Sequence, residues 1–143
     1  MDATVLVVDD EIEFAQALAE RLQLRRYNAS ACYGGKDAIE IIKHGAIDVV
    51  ILDLMMPDMD GIETLKKIKE VKPLTEVIML SGKATLKTAI EGMEQGAFEY
   101  LTKPCDNDLM IGKITEASLR KRKQEDRIRR AMEEIEGIIL KNR

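Results

Sequence analysis

Five positions carry side chains suited to one piece of chemistry: the adjacent pair Asp9-Asp10, Asp53, Ser81 and Lys103. Carboxylates drawn together repel, and some take up protons unless positive charge compensates. A hard divalent cation does this. Mg²⁺ takes oxygen ligands in octahedral geometry, commonly one or two carboxylates with waters and a phosphoryl oxygen. Lys103 adds a compact point charge suited to phosphate, and Ser81 adds a hydroxyl donor. Together they describe a site for a phosphoryl group, whose oxygens metal and ammonium neutralise while one carboxylate acts as nucleophile. Asp9 and Asp10 form a pair suited to metal, and Asp53 stands alone, so Asp53 is assigned as the nucleophile. Any one acid in a loop says little. The weight rests on what brings the five together.

That is an alternation of strands and helices. Residues 4–9 (TVLVVD) form a short apolar, β-branched run that predicts a buried strand. Residues 11–26 place Ile12, Phe14, Ala15, Leu18, Ala19 and Leu22 at helical spacing. Residues 28–33 are a weaker strand, and 37–43 a helix ending near Gly45. The unbroken run IDVVILD (47–53) suits a strand buried on both faces of a parallel sheet. A loop at 55–61 (MMPDMDG), a helix at 62–71, a strand at 76–80, a helix at 85–95 and a strand at 97–101 follow. Five βα units imply a doubly wound, five-stranded parallel α/β sheet of flavodoxin-like order 2-1-3-4-5. Ligands bind such sheets outside the C-terminal strand ends. Asp9-Asp10 end the first strand, Asp53 the third and Ser81 the fourth, while the fifth leads to Lys103. In that order the first and third strands are neighbours, so three carboxylates converge.

VLVVDDE, DVVILDLMMPDMDG, VIMLSGKA and AFEYLTKP resemble the signature segments of bacterial response-regulator receiver domains, over residues 4 to about 120. The resemblance implies that Asp53 accepts a phosphoryl group from a partner histidine kinase or phosphotransfer protein. It implies that Asp9, Asp10, Asp53 and the backbone carbonyl of Met55 hold Mg²⁺, and that Ser81 and Lys103 contact the phosphoryl oxygens. It also implies a cis Lys103-Pro104 bond, and a switch in which Tyr100 turns inward as the Ser81 hydroxyl moves toward the phosphoryl group. The family often has Thr at Ser81; Ser keeps the hydroxyl. Met55 and Lys83 occupy its rate-tuning positions.

The charge is unevenly spread. Residues 1–119 hold 13 basic and 21 acidic residues, and residues 120–143 hold 9 and 5. An acidic body therefore carries a basic arm, with a receiver expected over 1–120 and a helical extension over 121–143. A helix over 106–141 runs about 54 Å at 1.5 Å per residue, and a body of this size spans about 35 Å, so the helix should project. Leu109, Met110, Ile114 and Ala117 would pack on the sheet, with Glu125–Arg129 and Asp126–Arg130 pairs beyond them. Ile128, Ala131, Ile135 and Ile138, with Met132 and Ile139 alongside, form a short heptad seam. Three uses compete: a dimerising coiled coil, a linker within a longer transcriptional regulator, and a basic partner-binding helix.

Composition removes other classes. His44, the one histidine, is expected at the surface, and without others His-rich metal sites and His-dependent triads fall away. No Trp and 3% aromatics argue against base-stacking nucleic-acid binding, and acids interspersed in the basic run argue against direct DNA contact. No apolar run approaches the roughly 18 residues of a membrane helix and the amino terminus lacks a signal-peptide pattern, so a cytoplasmic protein with free Cys32 and Cys105 is expected. The eight methionines are read mostly as core filler. An enzyme is not expected. The rival is an aspartyl-phosphate hydrolase of the haloacid-dehalogenase type, which carries a second Asp two residues after the nucleophile; here Met55 stands there.

Overall fold

The computed structural model describes residues 3–83 and 85–142. Met1, Asp2, Ala84 and Arg143, and with them the outer limits of the 1–120 and 121–143 segments, lie outside the described residues. Strands β1 (Thr4–Val8), β2 (Asn28–Cys32), β3 (Val49–Leu52), β4 (Glu76–Ser81) and β5 (Glu99–Thr102) pair in parallel in the order β2-β1-β3-β4-β5. Helices α1 (Ile12–Leu24), α2 (Gly35–His44), α3 (Gly61–Val71), α4 (Leu86–Glu94) and α5 (Asn107–Lys141) follow the strands in turn. The expected doubly wound architecture is what forms.

The pleat sorts alternate residues to two cores. Leu6, Val8, Val50, Leu52, Val77 and Met79 face one side, where Ala38, Ile39 and Ile42 of α2 and Leu65 and Ile68 of α3 cover them. Val5, Val7, Val49, Ile51, Ile78 and Leu80 face the other, under Leu18 and Leu22 of α1 and Met110 and Ile114 of α5. Both faces are dry, which is why these strands read as apolar runs instead of alternating patterns.

Several boundaries differ from the expected ones. α2 begins at Gly35, because the Asp58 carboxylate accepts the Gly35 and Lys36 N–H groups and caps its first turn. β5 begins at Glu99, because the Ala97 N–H closes onto Gly92 O at the end of α4. Leu109 is 49% exposed; the face of α5 that meets the sheet is Met110, Ile114, Ala117 and Ser118. Arg129 pairs with Asp126 and Glu133, not with Glu125, because Glu125 is held by Lys121. Met56, Met79 and Met110 are core residues, but Met55, Met93 and Met132 are about half exposed, so core filling accounts for fewer methionines than expected. His44 is exposed beside Glu40, and Cys32 and Cys105 are free.

α5 is continuous for 35 residues, with Asp106 accepting the Asp108 and Leu109 N–H groups at its start. From Arg127 to Asn142 every residue is exposed. Among the described residues no helix is long and apolar enough to cross a membrane.

Candidate functional site

Parallel register brings the C-terminal strand ends level: Val8 pairs with Leu52, and Ser81 with Thr102. The Asp9 N–H bonds to Cys32 O and the Asp53 N–H to Val8 O, which carries the ladder one residue past each strand and fixes both acids at the sheet edge. Asp9, Asp10 and Asp53 each offer a carboxylate oxygen within 4.8 Å of the others. Asp9 and Asp53 are buried and Asp10 is exposed. The Lys103 N–H bonds to Ser81 O, which seats the start of the β5–α5 loop beside β4.

Lys103 Nζ lies 2.6 Å from Asp9 Oδ2, 3.0 Å from Glu11 Oε1 and 3.8 Å from Asp53 Oδ2. The Phe14 ring faces it at 4.2 Å from the centroid. Burial alone would lower the Lys103 pKa, but its hydrogen bonds to Asp9 and Glu11 and the nearby carboxylate charges outweigh this and hold the ammonium above its ordinary range. The Asp53 pKa also moves up, which for an acid disfavours the charged form. Burial first, and then the charge of Asp9, raise its pKa, against the opposing effects of Lys103, the Met55 N–H and the Ser81 hydroxyl. Lys103 therefore leaves the acid cluster under-neutralised. The oxygen donors present fit a divalent cation, which would supply the missing charge.

The cleft between these groups is about 450 Å³ and is lined by Asp10, Glu11, Asp53, Met55, Ser81, Gly82, Lys83 and Lys103. Met55 is exposed at its edge, and its N–H reaches Asp53 Oδ1 at 3.4 Å. The Ser81 hydroxyl oxygen accepts the Lys83 N–H at 3.2 Å. The Lys103-Pro104 bond is cis. Tyr100 packs against the core, with its hydroxyl buried and without a hydrogen-bond partner among the described residues. Burying a polar group unpaired costs about 1–3 kcal/mol.

Three contributors were not singled out from the sequence. Glu11 and Phe14 surround Lys103, 92 and 89 residues away in the chain. Gly61 touches the strand end: its N–H bonds to Leu54 O at 2.7 Å, and a Cβ there would collide with the Leu54 Cα and the Asp53 carbonyl oxygen. The turn residues around Gly61 were visible, but this close approach was not.

Residues 5–115 match the family described as the response regulator receiver domain. The transcriptional regulatory protein ZraR of Salmonella typhimurium is 36% identical over 104 residues, covering 73% of this chain and 24% of that protein. The transcriptional regulatory protein DltR of Streptococcus agalactiae is 34% identical over 110 residues, covering 77% and 49%. The chain thus spans about a quarter to a half of the curated relatives it matches. A receiver-domain crystal structure from Clostridium thermocellum superposes with a TM-score of 0.80 at 34% identity, over 84% of this chain and 97% of that one. The receiver domain of the Francisella response regulator 1452 gives 0.77 at 33% identity, over 82% and 98%. With five parallel strands in the order 2-1-3-4-5 and an acidic cluster at their C-terminal ends, this chain belongs to the response-regulator receiver domain family.

Proposed function

We propose that Asp53 is the phosphoacceptor of a two-component relay. A carboxylate oxygen of Asp53 attacks the phosphorus of a phosphohistidine on a sensor histidine kinase or phosphotransfer protein. The new P–O bond forms as the P–N bond breaks, and the imidazole leaves. Lys103 and Ser81 bind the phosphoryl oxygens. Asp9, Asp10, Asp53 and the Met55 backbone carbonyl would hold Mg²⁺, which would supply positive charge to offset that of the phosphoryl oxygens. Ser81 and Tyr100 form the switch, a reading supported by a Tyr100 hydroxyl that is buried without a partner among the described residues. The chain is a receiver and not a hydrolase, since Met55 supplies no acid group beside Asp53. The observation that carries this reading is the convergence of Asp9, Asp10 and Asp53 within 4.8 Å, with Lys103 Nζ 2.6 Å from Asp9 and 3.8 Å from Asp53.

The test is phosphate incorporation from a small phosphoramidate donor with Mg²⁺. Asp53→Asn should abolish it, and uptake equal to wild type would overturn the assignment.

The output side is a change of association. The receiver ends near residue 120, and the part of α5 beyond it is a helical arm through which two copies of the chain pair. The stripe Ile128, Met132, Ile135, Ile138 and Ile139 is about half exposed along one side of that arm. The relatives, transcriptional regulatory proteins longer than this chain, support a second reading of the arm, as the linker of a longer transcriptional regulator; direct nucleic-acid contact by this segment is not part of either. The setting is cytoplasmic. Truncation after Lys123 should lower the mass in solution, and an unchanged monomer mass for both chains would overturn the pairing.

A further inference from the structure

The environment of Lys103 contains one partner that neither the acid cluster nor the fold requires. Glu11 stands at the N-cap of α1, where Ser, Thr, Asp or Asn normally accepts a backbone N–H. The Glu11 side chain accepts none. Its backbone N–H goes to Asp9 Oδ1, and its carboxylate reaches across to Lys103 Nζ at 3.0 Å. A helix start that forgoes its cap breaks a local rule, and such departures concentrate at functional sites. Glu11 also lies outside the Asp9, Asp10 and Asp53 cluster.

We infer that Glu11 is a positioning residue that holds the Lys103 ammonium back from Asp53 and so limits how tightly Lys103 grips a phosphoryl group there. An ammonium has three donors. Asp9 takes one at 2.6 Å and Glu11 another at 3.0 Å, and the Phe14 ring covers a further side at 4.2 Å. Asp53 is left at 3.8 Å, beyond hydrogen-bond range. An oxygen bound to Asp53 competes with these partners for the position of Lys103. Asp9 is buried, whereas the Glu11 side chain is 66% exposed, so Glu11 is the partner that water can replace and the one whose reach sets the balance.

This rests on the reading of Asp53 as phosphoacceptor, and the experiment separates the two. The full chain and its Glu11→Gln and Glu11→Asp variants are titrated with beryllofluoride and Mg²⁺, followed by amide NMR shifts. Exchange of the Lys103 ammonium protons is measured without either. Glu11→Gln should bind the analogue about two- to fivefold more tightly, the scale of a half-exposed ion pair. It should also speed exchange of the Lys103 ammonium protons. Glu11→Asp keeps the charge but loses the reach, so it should match Glu11→Gln in both. If Glu11→Asp behaves like wild type while Glu11→Gln binds more tightly, bulk charge is responsible and the positioning role is overturned. Unchanged affinity and exchange in both variants overturn it as well. Wild type that binds no analogue at all overturns the phosphoacceptor reading itself.

Discussion

The two ends of the sheet treat their carboxylates in opposite ways. At the N-terminal end, Glu76 opens β4 between Arg120 at 3.0 Å and Lys69 at 3.6 Å, and Asp48 before β3 meets Lys121 at 3.0 Å. Each acid there has a cation from α3 or α5, and Asp48 also accepts the Thr4 N–H. At the C-terminal end, Asp9, Glu11 and Asp53 share Lys103, with Asp10 beside them. Acids matched by cations hold helices to a sheet. Acids short of cations remain available to a ligand, at a cost to the fold. Buried charge therefore marks function where its neutralisation is incomplete.

The under-neutralised end owes its rigidity to backbone contacts, and this sets the largest expected effect. Gly61→Ala drives a methyl group into the Leu54 Cα and the Asp53 carbonyl oxygen. Overpacking against backbone should cost about 3 kcal/mol, the upper end for forced insertions, with phosphate uptake at Asp53 falling alongside. Urea unfolding checks the first, and phosphate incorporation the second. A silent substitution would mean that charge pairing positions this end too.

Next comes a pair of neutralisations with opposite signs. Glu76→Gln leaves Lys69, whose pKa burial already lowers, without its carboxylate, and takes the partner from Arg120. A loss of about 2 kcal/mol is expected. Asp53→Asn should instead stabilise, by about 0.5–2 kcal/mol at pH 7. Burial and Asp9 raise the folded pKa of Asp53 above 3.8. Its proton is thus bound more tightly in the folded state, so its contribution is most favourable in acid and is lost as pH rises through the folded value. The gain from Asp53→Asn should shrink toward zero below about pH 4. Thermal unfolding across pH measures this, and a gain that persists in acid would break the contrast between the two ends.

How much of this could be read from the chain follows the range of the interactions. Buried strands announce themselves as apolar runs, and topology alone then carries Asp9, Asp10, Asp53, Ser81 and Lys103 to one edge. Side-chain partnerships across 92 residues, such as Glu11 with Lys103, or across 73, such as Lys121 with Asp48, leave no periodicity to read. Leu109 misled because its neighbour Met110 takes the inward face, a choice made by where α5 meets the sheet. The i,i+4 pairs expected around Arg129 and Arg130 failed for a related reason: Lys121, pinned by Asp48, takes Glu125 first.

That last competition gives the smallest expected effect. Lys121 Nζ sits 3.0 Å from both Asp48 Oδ1 and Glu125 Oε2, but the two acids are unequal. The Asp48 side chain is 24% exposed and ties to the backbone of Thr4, whereas Glu125 is 47% exposed and is a helical neighbour four residues on. Pairs of the second kind contribute about 0.3–0.5 kcal/mol. Glu125→Gln should therefore move urea unfolding by no more than about 0.5 kcal/mol, since Asp48 still neutralises the ammonium. A loss comparable to that of Glu76→Gln would mean that the base of the sheet is one coupled network continuing into the projecting half of α5, and that the arm is held by charge beyond the last residue that touches the body.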